Sequence, residues 1–174
     1  STPDADKPTD MAIRAVLYRV AAEMGIKSLL VGVSFRNEGK VPITWAYGDD
    51  RYLSSVNRRH GSRPLKMLPR LSLFDFIRRG IVGGVRQIRP LWYLPYRKTD
   101  AKKLLSEQLG WEYYGGHHHE NVYTRFLHGY FFPTKFNIDK RKVEYSALIR
   151  SGQMEREQAL HSLADSPLSP EAAQ

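Results

Sequence analysis

Four consecutive residues, His117-His118-His119-Glu120, carry the densest potential chemistry in the chain. Histidine alone among side chains changes charge near neutral pH, so one or two of them can hydrogen-bond a substrate or move a proton. A metal site requires ligands that converge. Adjacent residues of an extended segment point to opposite faces, so at most His117 and His119 share a side. No His-Glu-x-x-His helix is present, and a metal is not expected. The bland alternative is a solvated polar loop. The flanking Trp111-Glu112-Tyr113-Tyr114-Gly115-Gly116, rich in aromatics and glycine, argues against it.

A second constellation is cationic. Arg125 lies in an aromatic stretch, and Lys135, Asp139, Lys140 and Arg141 follow Pro133. A guanidinium among aromatic rings is costly unless it pairs or reaches an anion. Paired with Asp139 or Glu120 it is structural, and aimed at a phosphate it is functional. A third group, Ser34-Phe35-Arg36-Asn37-Glu38-Gly39, follows a short apolar run. In open α/β sheets ligands sit beyond the carboxyl ends of strands. Ser34, Arg36, Glu38 and Gly39 are therefore binding candidates by position, beside the reading as an ordinary turn.

These residues need elements to position them. Ile13, Val16, Leu17, Val20, Ala21 and Met24 recur at helical spacing and predict an inward stripe, with Thr9 or Asp10 as cap and Gly25 as stop. Ser28–Val33 then reads as a buried strand, and Val85–Leu91 as a second one. Helices are predicted over Leu71–Arg79, Lys98–Leu109, Asn121–Phe132, Ile138–Ser151 and Met154–Ala164. In the second of these Ala101, Leu104, Leu105 and Leu109 face inward, and Pro133 ends the third. Lys40–Pro69 reads as irregular. The organisation expected is a disordered lead-in (1–9), a partial α/β domain (10–110), a helical region carrying the His/Arg motif (111–165) and a frayed tail (166–174).

The chain has 174 residues, no cysteine and a net charge of +9. Without cysteine there are no disulfides, thiolate zinc sites or cysteine nucleophiles. The positive charge suits anionic partners, among them nucleotides, nucleotide sugars and nucleic acid. No apolar run approaches the ~20 residues that span a bilayer, and residues 1–9 have no signal-peptide pattern. A cytoplasmic location is expected, with no membrane association.

Leu109 to Leu160 resembles the C-terminal part of N-acetyl sugar amidotransferases, enzymes of bacterial surface-polysaccharide (lipopolysaccharide, O-antigen) biosynthesis. The pattern is LGW, then YGG with a histidine pair and glutamate, YTRF, P-x-KF-x-x-DKR and SGQ. It falls on Gly115, Gly116, His118, His119, Glu120, Tyr123, Thr124, Arg125, Phe126, Pro133, Lys135, Phe136, Asp139, Lys140, Arg141, Ser151, Gly152 and Gln153. His117 stands where that pattern has lysine. Weaker likeness extends upstream to about Asp10 and takes in Gly32, Ser34, Arg36, Glu38 and Gly39, so that Gly32 joins the expected binding residues.

The resemblance implies a fold, the parallel α/β sheet of PP-loop ATP pyrophosphatases, followed by helices. It implies a reaction in which an acetamido group of a sugar becomes an acetamidino group. ATP with Mg2+ activates the amide oxygen, and ammonia comes from a glutaminase subunit through a synthase-like channelling subunit. His118, His119 and Glu120 are then the expected acid–base or sugar-contacting residues. Ser34, Arg36 and Glu38 are expected to touch nucleotide or sugar, and Arg125, Lys135 and Arg141 to meet phosphate charge. The superfamily's Ser-Gly-Gly-x-Asp-Ser loop does not occur in these 174 residues. The chain is accordingly expected to be part of such an enzyme and inactive alone. Two other readings stay open: a PP-loop enzyme that modifies tRNA, although no RNA-binding module is recognisable, and a non-catalytic assembly module.

Overall fold

A computed structural model of the chain describes residues 5–42, 48–116 and 119–168. Two compact units emerge. The first comprises residues 1–31 and 42–89, the second residues 32–41 and 90–174. The units divide after Arg89 and not at the expected boundary of Gly110, and the segment following the first strand belongs to the second unit.

In the first unit, helix α1 (Lys7–Glu23) starts earlier than expected, with Asp6 at the cap position and Pro8 in its first turn. Proline suits that turn because its missing N–H would have no helical partner. Thr9 and Asp10 are thus inside the helix, and residues 7–9 are not part of a lead-in. Gly25 ends the helix as predicted, at φ +71°. The inward face is not the aliphatic stripe. Ala15, Tyr18 and Ala21 are buried, whereas Ile13, Leu17, Val20 and Met24 are exposed. Small alanines allow close approach, and the Tyr18 ring fills the space against Ala21, Val85, Leu29 and Leu71.

Strand β1 (Ser28–Leu30) pairs in parallel with β2 (Arg86–Ile88), Leu29 opposite Gln87. Both strands are shorter than predicted, and Val31 adds one further bond to the Ile88 carbonyl. The stretch read as irregular contains helix α3 (Asp50–His60), whose first turn is capped by the Asp49 carboxylate accepting from the Tyr52 N–H at 2.6 Å. α4 (Leu73–Phe76) continues into a π-helical turn, Ile77–Val82.

The second unit holds α2 (Phe35–Glu38), a 3-10 turn (Pro90–Trp92), α5 (Lys98–Leu109), α6 (Val122–Phe126), α7 (Phe132–Phe136), α8 (Arg141–Arg150) and α9 (Arg156–Ala164). α5 has the predicted bounds, closed by Gly110 in the left-handed conformation. Its leucines do not face inward: Leu104, Leu105 and Leu109 are exposed. α6 and α7 are joined by a π-helical turn, Leu127–Phe131, so the helix does not stop at Pro133 but runs to Phe136. Proline has no N–H to give to a carbonyl one turn back, and a widened turn just before it absorbs that mismatch. Asn137, at φ 54°, makes the actual stop. Among the described residues, Phe132, Leu127, Ile138, Ala147, Ala159 and Leu168 are the unit's buried apolar side chains. Among the described residues no helix is long and apolar enough to cross a membrane.

Candidate functional site

The second unit contains a cleft of about 490 Å³. Its walls come from the N-terminal part of α5, from Tyr113, Gly115, Gly116 and His119, from the π turn after α6, and from α8. Four cations line it, Lys98, Lys102, Lys140 and Arg141, against one carboxylate, Glu144. The imidazoles of His119 and His128 also line it, with Thr99, Gln153 and Gln158.

Each side chain has a local reason for its place. Gly116 lies directly under His119: a Cβ on Gly116 would fall 2.4 Å from the imidazole ring. Glycine there lets the ring fold back over the loop. The π turn carries His128, whose ring lies 5.5 Å from that of Phe132. Lys140 Nζ is 2.9 Å from His128 Nε2 and sits 4.7 Å from the Phe132 ring centroid. The Lys102 ammonium lies 3.5 Å over the Tyr113 ring, a cation–π contact. The Lys98 ammonium pairs with the buried Glu144 carboxylate. The α5 N-terminus is held in turn by Gln153, whose Oε1 accepts the Lys98 backbone N–H at 2.9 Å.

Burial holds the His119 imidazole below its ordinary titration range, and the charges of Arg125 and His128 act in the same direction, opposed by Glu120 and Glu144. His119 is therefore neutral at neutral pH. Its lowered folded value means that the unfolded chain takes up the proton first as pH falls. The stability contributed by the neutral ring is present above the unfolded value of 6.5 and is lost as pH falls toward the folded one. His119→Gln, which cannot titrate, should lose less thermal stability than the parent chain between about pH 7.5 and pH 5.5. An equal loss in both would show that His119 does not carry this dependence.

The residues singled out from sequence do not form one group. His119, Lys140 and Arg141 line the cleft. Glu120 and Arg125 are exposed beside His119 but outside the lining, and Arg125 is not buried in an aromatic face. Lys135 is exposed over the rings of Phe131 and Phe136. His117 and His118 lie outside the described residues. Asp139 is the partner of Arg141: Nε and Nη2 donate to its carboxylate, with Nη2–Oδ2 at 2.8 Å. Arg141 also donates to the carbonyls of Ser162 and Asp165.

The Gly32–Gly39 segment stands apart from the cleft lining. Arg36 and Gly39 border a smaller hollow of about 310 Å³ with Lys40 and Arg150. Arg36 Nη1 is spent on the carbonyls of Leu91, Trp92 and Leu94, at 3.2 to 3.4 Å. Glu38 accepts the Ser34 N–H at 3.2 Å, and the Ser34 hydroxyl is buried with no hydrogen-bond partner. Gly32 is exposed, and Gly39 (φ +69°) packs against the Val143 carbonyl, 2.7 Å from where a Cβ would stand. The arrangement is that of a clip bracing the unit.

Residues 120–174 match the family model of the LPS biosynthesis protein WbpG-like C-terminal domain. No curated protein and no solved structure matches the chain. The WbpG-like segment supplies His128, Lys140, Arg141, Glu144 and Gln153 to the cleft, while Lys98, Lys102, Tyr113 and His119 come from the stretch before it. Lys98, Lys102, His128 and Glu144 were not among the residues singled out. Lys98 and Lys102 share a face at four-residue spacing, the one signal in sequence that pointed to them.

Proposed function

We propose that this chain is part of an ATP-dependent amidotransferase of surface-polysaccharide biosynthesis, and that the cleft holds its acetamido-sugar substrate. The observation that carries this reading is a cationic cleft with a neutral imidazole, built largely by a segment similar to a lipopolysaccharide-biosynthesis domain. The parent architecture in this reading is the parallel PP-loop sheet, with glutaminase and channelling subunits supplying ammonia.

Activation by ATP would supply a leaving group on the amide carbon. The cleft walls do not suit the Mg2+ that accompanies ATP. Glu144 is committed to Lys98 and the neighbouring Asp139 to Arg141, and among the described residues no three His, Cys, Asp or Glu side chains converge on one point. The work left to these residues is to bind and orient the sugar. Lys140 and Lys102 attract the anionic portion of a nucleotide-linked sugar. The neutral His119 can accept a proton as nitrogen adds to the amide carbon. Preorganisation of this kind lowers a barrier by holding reactants in line.

Two measurements test the reading. The chain should bind UDP-N-acetylglucosamine, and Lys140→Gln combined with Lys102→Gln should weaken binding at least roughly tenfold. Unchanged affinity in the double variant would remove the cleft from the proposal. With ATP and ammonium added, the chain alone should release no AMP above a buffer control, because it carries no Ser-Gly-Gly-x-Asp-Ser loop. Steady AMP release would show that another part of the chain cradles the phosphates.

A further inference from the structure

We infer that Leu73–Val82 and the loop before it form a docking surface for an anionic lipid bilayer. This goes beyond the sugar reading and does not rest on it. The first observation is where the charge lies. The chain has 27 Lys+Arg and 18 Asp+Glu. Residues 51–89 hold ten of those cations and one acid, Asp75, which leaves seventeen of each sign in the rest of the chain. The whole excess of +9 is confined to that one stretch, and such asymmetry marks a surface for an anionic partner. Asp75 pairs with Arg79, and Asp50, just upstream, pairs with Arg70. Arg58, Arg59, Arg63, Lys66 and Arg78 are exposed and have no acidic partner among the described residues.

The second observation is what stands beside that charge. The segment Leu73–Val82 packs inward through Phe76, whose ring lies 5.7 Å from that of Tyr18, and through Gly80, where a Cβ would stand 3.4 Å from the Tyr18 ring. Residues one turn apart share a face, so the opposite side carries Phe74, Arg78, Ile81 and Val82. Phe74, Ile81 and Val82 are 72%, 68% and 79% exposed, and Met67 in the preceding loop is 92% exposed. An arginine stands among large apolar side chains on the outward face of a helix whose inner face is already packed. A second copy of this chain would bring the same cations to that face and be repelled. Nucleic acid would meet the cations but leave the aliphatic side chains in water, since its bases stack on aromatic rings. An anionic bilayer satisfies both, with headgroups for the cations and the acyl boundary for Phe74, Ile81, Val82 and Met67. Arg78 can reach the headgroups while its methylenes stay with the apolar side chains. Such a segment lies in the plane of the interface. The expectation of no membrane association, drawn from the lack of a ~20-residue apolar run, does not reach it.

Cosedimentation of the whole chain with vesicles tests this. Vesicles of phosphatidylglycerol and phosphatidylcholine in equal parts should bind at least roughly tenfold more tightly than pure phosphatidylcholine, and added salt should weaken the binding. Phe74→Ser combined with Ile81→Ser should weaken it at least roughly tenfold. Both residues are exposed, so this variant should keep the melting temperature of the parent. Arg63→Gln, Lys66→Gln and Arg78→Gln together should weaken it by a similar factor, at least roughly tenfold. The chain has no cysteine, so Ile81→Cys accepts a single environment-sensitive fluorophore. Its emission should shift to the blue on anionic vesicles and stay unchanged with tRNA. The inference is overturned by no binding to anionic vesicles, or by a fluorophore that does not shift on them. Binding that the double serine variant leaves unchanged overturns it equally, because charge alone would then account for it. A chain that binds tRNA and not vesicles would make this surface a nucleic-acid interface instead.

Discussion

Replacing Arg141 by methionine should lower the unfolding free energy by about 3 kcal/mol, the lower end of the range for breaking a buried ion pair. The guanidinium and Asp139 are both mostly buried, with side chains 22% and 15% exposed. Methionine keeps much of the length and apolar bulk of the side chain. It leaves the Asp139 carboxylate with the Arg141 backbone N–H at 2.9 Å as its remaining donor from this pair. It also strips the donor from the Ser162 and Asp165 carbonyls, through which Arg141 ties the start of α8 to the end of α9. Arg141→Lys preserves the charge but not the fork that serves carboxylate and carbonyls together. It should fall between the parent chain and Arg141→Met. Denaturant unfolding gives the values. Adding Asp139→Asn to Arg141→Met should recover part of the loss, since the stranded charge is then gone. If Arg141→Met left stability within roughly 0.5 kcal/mol of the parent while affinity for UDP-N-acetylglucosamine collapsed, Arg141 would be a ligand to the substrate and not a brace.

This bears on how far the sequence could be read. The resemblance set Arg141 against phosphate charge, yet the residue that claims it, Asp139, lies two positions earlier in the same motif. Residue types identified the region, and only geometry could divide the cations into those that brace and those that face the cleft. The same holds for Arg36, whose Nη1 donates to three carbonyls. Elements were legible where local chemistry is decisive. α5 has its predicted bounds because Gly110 provides the left-handed stop. α3 was missed because it is mainly polar and buries no residue, although Tyr52, Leu53 and Val56 share one face. The stripe of α1 was misassigned because periodicity reports that a face is apolar, not which neighbour covers it. The α6–α7 helix passes the point where Pro133 should end it because a π turn precedes it, and that turn is what carries His128 into the cleft. Lys98, His128 and Glu144 are 30 and 16 positions apart in sequence; only tertiary packing makes them neighbours of one cavity.

Gln153→Ala should cost roughly 2–4 kcal/mol, far more than an ordinary polar truncation, because three separate groups depend on one amide. Its Oε1 accepts the Lys98 N–H, one of the donors that a helix start leaves unpaired. Its Nε2 donates at 2.9 Å to both Asn37 Oδ1 and Ser151 Oγ. Asn37 is buried, and Ser151 Oγ itself donates to the Arg36 carbonyl at 2.9 Å. Gln153 thus links the clip at α2, the end of α8 and the start of α5, and it fixes where Lys98 meets Glu144. Alanine removes all three bonds and fills none of the space. Gln153→Glu separates the two duties of the amide. A carboxylate still accepts from the Lys98 N–H and gains from the positive end of α5. It can also accept from Asn37 once that amide turns its nitrogen inward. Gln153→Glu should therefore recover at least half of the loss at neutral pH, and the recovery should fade as acid protonates the new carboxylate. In Gln153→Ala the start of α5 should also show faster amide hydrogen exchange at Thr99 and Asp100, while the rest of the helix changes less. Equal destabilisation by alanine and glutamate, with exchange unchanged at the start of α5, would mean that Gln153 fills space and does not hold the helix in place.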